Sequence, residues 1–252
     1  MKQSLSRIGT GFAPLLGLLL LWQAACASGL FPPQVLVAPL DVAATLAALW
    51  RSGELGGHLA ISLTRLLLGF GLGAGLGLAF GTTIALSRFA EALLAPLFQA
   101  LRQVPVLAFL PMLVLLLGIE ERFKIVVVAI ATFFPVALAA FDGVRGVPRS
   151  HFEVARLYRT PLLPFLLRIL VPAATPPVLT GLRIGLTRAW LVLVACELLA
   201  AGSGIGQMME MGRQLFRIDM VLAGVFVSGL IGFLLDRGVK SLERRTLRWK
   251  AA

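Results

Sequence analysis

Charge is what this sequence has least of. Asp and Glu together number 12, and charged residues of both signs make up 14% of the 252 positions, against 58% hydrophobic residues and a mean hydropathy of +0.92. A soluble domain carries about 25% charge, so this chain has too little polar surface to cover a water-soluble globule. Cysteine is confined to Cys26 and Cys196, each inside an apolar run, which excludes a disulfide framework and a cysteine metal centre. Histidine is confined to His58 and His151, isolated from each other and outside any H-E-x-x-H pattern. No metal, no cofactor and no catalytic residue are therefore expected, and an integral membrane enzyme lacks its nucleophile, base or ligand set. There is also no G-x-x-x-x-G-K-[ST] stretch. Without that phosphate-cradling loop the chain cannot hydrolyse ATP, and any ATP-driven work must come from a partner.

What the chain does have is long apolar runs. Crossing the hydrocarbon layer takes about 20 mainly apolar residues, and six segments qualify: about Phe12 to Ala27, Arg65 to Arg88, Arg102 to Glu120, Lys124 to Asp142, about Leu182 to Ala201, and Asp219 to Asp236. The third, fourth and sixth are short, and their flanking Lys and Arg side chains reach the interface by snorkelling. The expected fold is an all-α polytopic membrane protein of about six helices, in contact with lipid. Net charge is +11 and the sequence pI about 11.3, but the basic residues lie in short loops between apolar runs, so nucleic acid is not an expected partner. With the N-terminus inside and sides alternating, the outer segments hold only Arg51, Arg65, Arg122, Lys124, Arg213 and Arg217 of the 23 Lys and Arg. The excess of basic residues on the other side places both termini in the cytoplasm of a bacterial inner membrane. The first segment has a second reading: Lys2, Arg7, an apolar run and Ala24-Ala25-Cys26-Ala27 also outline a secretory signal.

Several residues inside these runs ask for a role. Gly69, Gly73, Gly77 and Gly81 recur every four positions along one face of the second span, and Gly224, Ser228 and Gly232 repeat the pattern in the sixth. Such stripes let another helix backbone approach closely. Pro105 and Pro111 interrupt the third span, and carbonyls freed by proline at membrane depth are tolerated only against protein or a water-filled cavity. The segment from Gln103 to Pro111 is a candidate pathway lining, with Arg102 and Arg188 as further pathway candidates; a purely structural kink accounts equally for the prolines. Glu197, within the fifth span, is either a gating or pathway residue or a structural hydrogen-bonding group near a helix end. Residues 1–60 are an N-terminal span and an outer loop, with an amphipathic stretch around Val42 to Trp50, and 61–252 form the core.

The longest inner loop, about 142–180, contains HFEVARLYRTPLLPFLLRILVPAATPP, in which Phe152 to Arg159 reads as a short charged helix stopping before Pro161. Glu153-Val154-Ala155-Arg156 followed, nineteen positions after the glutamate, by Pro172 resembles the "EAA" loop of binding-protein-dependent ABC importer permeases. GELGGHLAISLTRLLLGF, FQALRQVPVLAFLPMLVLLLGI and the LLDRGVKSLERRTLRWK tail are similar to the nitrate/sulfonate/taurine branch. The resemblance implies a type I importer permease fold and a coupling helix, with Glu153, Ala155, Arg156, Tyr158, Arg159 and Pro172 at its motif positions, seated in a groove of a cytoplasmic ATPase subunit. It also implies a second permease copy, a periplasmic solute-binding protein and a small anion such as an aliphatic sulfonate, taurine or nitrate as cargo. The family usually carries glycine where this chain has Arg159, so the turn there is expected to be built differently. A secondary transporter driven by an ion gradient is the rival, but it calls for inverted repeats and several intramembrane acids, where only Glu197 is a clear candidate.

Overall fold

The apolar runs fold as helices that end where the residue chemistry favours ending. In the computed structural model residues 14, 17–29, 32, 36–200 and 202–247 are described; Lys2, Arg7, Arg248, Lys250 and the start of the first expected span lie outside them. The elements are α1 (Gly17–Ala27), α2 (Pro39–Arg51), α3 (Glu54–Leu86), α4 (Arg88–Leu101), a 3₁₀ turn (Val106–Phe109), α5 (Leu110–Leu117), α6 (Glu121–Arg145), α7 (Arg149–Leu157), α8 (Leu162–Phe165), α9 (Val171–Ala200), α10 (Ile205–Gln214) and α11 (Ile218–Thr246). Among the described residues there is no strand. The amphipathic stretch of the outer segment is α2, with Pro39 in its first turn and Asp41 and Arg51 at the ends where the helix dipole favours them. Its Val42 and Leu49 pack on Met208, Met209, Met220 and Ala223 of α10 and α11.

Among the described residues four helices are long and apolar enough to cross a membrane: α3, α6, the continuous helical stretch Leu163–Ala200, and α11. The third expected span is not one helix. α4 starts on a Ser87 cap whose hydroxyl accepts the Ala90 N–H at 3.2 Å. It ends at Leu101, and the chain then turns by 87° into Val106–Leu117. Pro111 does not break this segment; it occupies the first turn of α5, where its missing N–H costs nothing. The fifth span also differs from expectation, since helix begins near Leu163 and runs through Pro176 and Pro177. Sequence reasoning treats such prolines as breakers, but packing inside a bundle tolerates them, and the Thr180 hydroxyl donates to the Pro176 carbonyl at 3.2 Å.

Contacts fix the helix directions. A Cβ built on Gly69 would meet Val128 at 2.6 Å and one on Gly77 would meet the Phe133 carbonyl at 2.9 Å, while Gly73 and Gly81 are pressed against Ala129 and Ala137. The numbers rise together, so α3 and α6 run parallel. Gly143 lies against Ala174, and Gly185 against Val136, so α9 runs antiparallel to α6. Arg183 pairs with Asp236 at 2.5 Å and the Trp190 indole donates to the Ser228 carbonyl at 3.0 Å, which makes α11 antiparallel to α9. Because α3 and α6 are parallel, the segment between them must return to the starting side. The bent pair α4–α5 is therefore a broken span and not a re-entrant loop. In lipid there is no hydrophobic driving force between helices, so this close backbone approach is the source of cohesion. Gly224 faces Met209 and Gly232 faces Trp190 in the same manner.

At one end of the bundle α7 caps the connection between α6 and α9. Ala155 is buried with Val144, Val147, Phe165 and Leu170. The helix stops in a Schellman turn: Thr160 N–H donates to the Ala155 carbonyl at 2.9 Å and Arg159 N–H to the Arg156 carbonyl at 3.0 Å. Arg159 sits at φ 47 in the left-handed region. The arginine thus holds a conformation that glycine adopts freely. Left-handed backbone costs a non-glycine residue about 1–2 kcal/mol, partly offset by the greater unfolded-state entropy of glycine. Arg159→Gly is accordingly expected to hold or raise the thermal midpoint of the detergent-solubilised chain; a fall of several degrees would show that the arginine side chain outweighs the strain.

Candidate functional site

Three sites combine polar chemistry with placement. The first is α7. Its motif residues Glu153 and Arg156 are exposed, as are Val154 (52%), Leu157 (80%) and Tyr158 (77%). Ala155 is the small residue that seats the helix, and Pro172 lies exposed in the first turn of α9. The π-helical turn Leu166–Leu170 joins the two. A nine-residue helix carrying apolar and charged side chains outward, held by one buried face, is a surface that another protein can grip.

The second is a cavity of about 330 Å³ in the crook of the broken span. It is lined by Arg102, Gln103 and Pro105 from the break, by Phe134 and Pro135 of α6, and by Arg188 of α9. Four of the residues singled out for a pathway thus meet in one place; Pro111 and Glu197 are not among its lining. The depth follows from the helices. Phe134 and Pro135 are at the midpoint of the 25-residue α6, and Arg188 lies twelve residues, about 18 Å, before the end of α9. Neither Arg102 nor Arg188 forms a side-chain ion pair or hydrogen bond among the described residues, and both are exposed. An arginine at the centre of a bilayer costs on the order of 2.5–3.5 kcal/mol unless it faces water or a partner.

The third lies outside the sequence expectations. Arg65, read as the outer boundary of a span, lies inside α3 and is 2% exposed. Its Nη1 donates to Glu197 Oε1 at 2.7 Å and to the Ser203 carbonyl at 2.7 Å. Nε and Nη2 hold Glu121 at 2.5 and 2.6 Å, and Nη2 also reaches Ser203 Oγ at 2.7 Å. All five guanidinium donors are thereby used. Lys124 Nζ joins at 3.0 Å from Glu121, giving two cations for two anions. Glu197, fully buried, also accepts the Ser62 hydroxyl and the Gly206 N–H at 3.1 Å. The Ile205 N–H donates to Ser62 Oγ at 2.9 Å and the Gly204 N–H to His58 Nδ1 at 3.0 Å. These residues serve as the cap that the start of α10 lacks within its own segment. A side chain at Gly204, which has φ 107, would strike the Glu197 carboxylate. Of the two readings of Glu197, the geometry is that of a structural hydrogen-bonding group near a helix end. The sequence signal is present as two i,i+3 polar pairs, Ser62 with Arg65 and Glu121 with Lys124, at the starts of α3 and α6.

Comparison with known proteins adds three findings. Residues 71–248 match the family described as binding-protein-dependent transport system inner membrane component. A Bacillus subtilis protein whose name assigns it to aliphatic sulfonates transport as a permease (SsuC) is 41% identical over 91% of this chain and 83% of its own length. The taurine transport system permease protein TauC of Escherichia coli is 38% identical over 86% of this chain and 78% of its own. In architecture the chain is similar to the crystal structure of an amino acid ABC transporter with histidines, with a TM-score of 0.66 at 14% identity, covering 79% of this chain and 97% of that one.

Proposed function

This chain belongs to the binding-protein-dependent transport system inner membrane component family, and from that membership we propose that it forms half of an ATP-driven import pathway for a small anion. It is an all-α, multi-pass inner-membrane permease, and the ATPase activity of such systems resides in separate subunits. The observation that carries the coupling is α7. It projects from the bundle end where Arg145, Arg156, Arg159, Arg168, Arg237, Lys240, Arg244 and Arg245 gather, the end that the positive-inside rule assigns to the cytoplasm. There Leu157 and Tyr158 offer apolar contact and Glu153 and Arg156 charged contact to a cytoplasmic ATPase. Ala155 ties α7 to α6 and α9, so a push on α7 is passed to two spans as a rigid-body movement and access alternates between the two sides. The opposite end, where Arg65 and Glu197 knit α3, α6, α9 and α10 together, faces the periplasmic binding protein. A second copy of the chain closes the open side of the central cavity. The anionic class of the cargo is supported by Arg102 and Arg188 at that cavity and by the sulfonates and taurine named for the relatives.

Affinity purification from the native host, followed by mass identification, is expected to recover an ATPase subunit in near-equal amount. Glu153→Lys is expected to leave membrane insertion intact while ATP-driven uptake falls about tenfold or more, the scale of one lost buried charge contact at an interface. Purification of the chain alone, with uptake driven by an ion gradient, would replace this reading by that of a secondary transporter. Normal uptake by Glu153→Lys would remove that residue from coupling.

A further inference from the structure

The non-helical turn at Arg102–Pro105 and Arg188, which has no side-chain partner among the described residues, are independent oddities that meet at one depth. Backbone outside a helix exposes N–H and C=O groups that hydrocarbon cannot satisfy, so it occurs at membrane depth only against protein or water. A guanidinium without a carboxylate partner is subject to the same restriction. The face of the bundle that carries both therefore looks onto water held between it and the second copy of the chain, and not onto lipid acyl chains. Both charged residues of the cavity lining are arginines, and no carboxylate is among them. The remaining wall is apolar, from Val104, Leu191 and Val192, which leaves the field of the arginines little screened.

We propose that Arg188 of α9, with Arg102 and Gln103 of the broken span, forms an oxyanion stop midway across the membrane. A permeating sulfonate, nitrate or carboxylate exchanges part of its water shell there for guanidinium and amide N–H donors. The fork of donors on an arginine matches two oxygens of one such group. Release follows because the cavity is open and two of its three donor residues, Arg102 and Gln103, sit on a non-helical turn at its edge, so the anion is not enclosed. The assignment of the stop to imported cargo rests on the importer reading; its selectivity for anions does not.

The test uses the full chain assembled with its ATPase partner in sealed vesicles, with Cys26→Ser and Cys196→Ala removing the native thiols. Gln103→Cys supplies a reporter thiol, and Leu68→Cys, exposed on the apolar face of α3, supplies the lipid-facing control. Each is treated with an anionic sulfonatoethyl thiosulfonate and a cationic trimethylammonium-ethyl thiosulfonate, with rates normalised to a free thiol in solution. Gln103→Cys is expected to react about tenfold or more faster than Leu68→Cys and to prefer the anionic reagent about tenfold, the lower end of what a cleft lined by one sign of charge produces. Adding Arg188→Met is expected to lower that preference several-fold, Arg102 supplying the remainder, and Arg188→Lys to retain it. A Gln103→Cys thiol as unreactive as Leu68→Cys would mean that no water reaches the break, and an anion preference unchanged by Arg188→Met would mean that Arg188 does not set the field; either overturns the proposal. ATP-driven uptake of ethanesulfonate by the unsubstituted complex is measured in parallel. If it is absent while the thiol pattern holds, the import of sulfonate is what fails and the anion stop stands.

Discussion

Glu197→Ala is expected to destabilise the chain more than Glu121→Ala or Arg65→Lys in the same polar cluster, by about 3–5 kcal/mol, the usual cost of removing one partner from a buried ion pair. Native stabilities are only about 5–15 kcal/mol, so the variant should be recovered from detergent mostly as aggregate, with a strongly lowered thermal midpoint. The reason is what stays behind. Arg65, 2% exposed, loses one of its carboxylates, and the Gly206 N–H and Ser62 hydroxyl lose their acceptor in a fully buried place. Glu121 provides the contrast within the same cluster. It also grips Arg65 and pairs with Lys124, whose side chain is 3% exposed, so its loss leaves two cations short of a partner. Its own carboxylate is 59% exposed, so water reaches the place it vacates, and Glu121→Ala should cost less than Glu197→Ala, about 1–3 kcal/mol. Arg65→Lys should fall between the Glu197→Ala variant and the parent, since three ammonium donors cannot replace five that reach Glu121, Glu197 and Ser203 together. Thermal unfolding of the purified variants checks the order. A Glu197→Ala protein melting within a few degrees of the parent would show that this cluster does not hold the four helices together.

Alanine in place of glycine should divide α3 into two classes. Gly73→Ala and Gly81→Ala drive a methyl group into the Ala129 and Ala137 backbone of α6, and separating two packed backbones costs about 1–3 kcal/mol or more. Gly71→Ala and Gly75→Ala meet nothing within 4 Å, and there the better helix propensity of alanine, about 1 kcal/mol, acts unopposed. The same chemical change is thus expected to lower the thermal midpoint at two positions and to hold or raise it at two others close by on the same helix. Equal effects at all four positions would remove the α3–α6 contact as the reason for the glycine series.

Much of this architecture is legible in the chain. The glycine stripe is a period of four, and a helix turns such a period into a face without any help from elsewhere. The α7 motif is legible for a related reason, because a nine-residue helix between two prolines declares its own ends. The broken span is half legible: Pro105 marks a place where helix cannot continue, but the turn of 87° depends on where α6 and α9 stand. The extent of α9 is not legible, because Pro176 and Pro177 look alike to sequence reasoning whether they end a helix or lie inside one.

By itself, the sequence determined that the chain lives in a membrane, that its helices pack through glycine, that it has no G-x-x-x-x-G-K-[ST] loop and that a short charged helix hangs from one loop. Each of these is a matter of composition or of spacing within one segment. Only the tertiary structure decided that Arg65 joins Glu197 across 132 positions and Glu121 across 56, and that Arg102 and Arg188 share a cavity while neither has a side-chain partner among the described residues. The physical reason is that the cost of a charge at membrane depth is set by what lies opposite it. An arginine inside an apolar run reads the same in sequence whether it is locked to a carboxylate, as Arg65 is, or lines a cavity without a side-chain partner among the described residues, as Arg188 does.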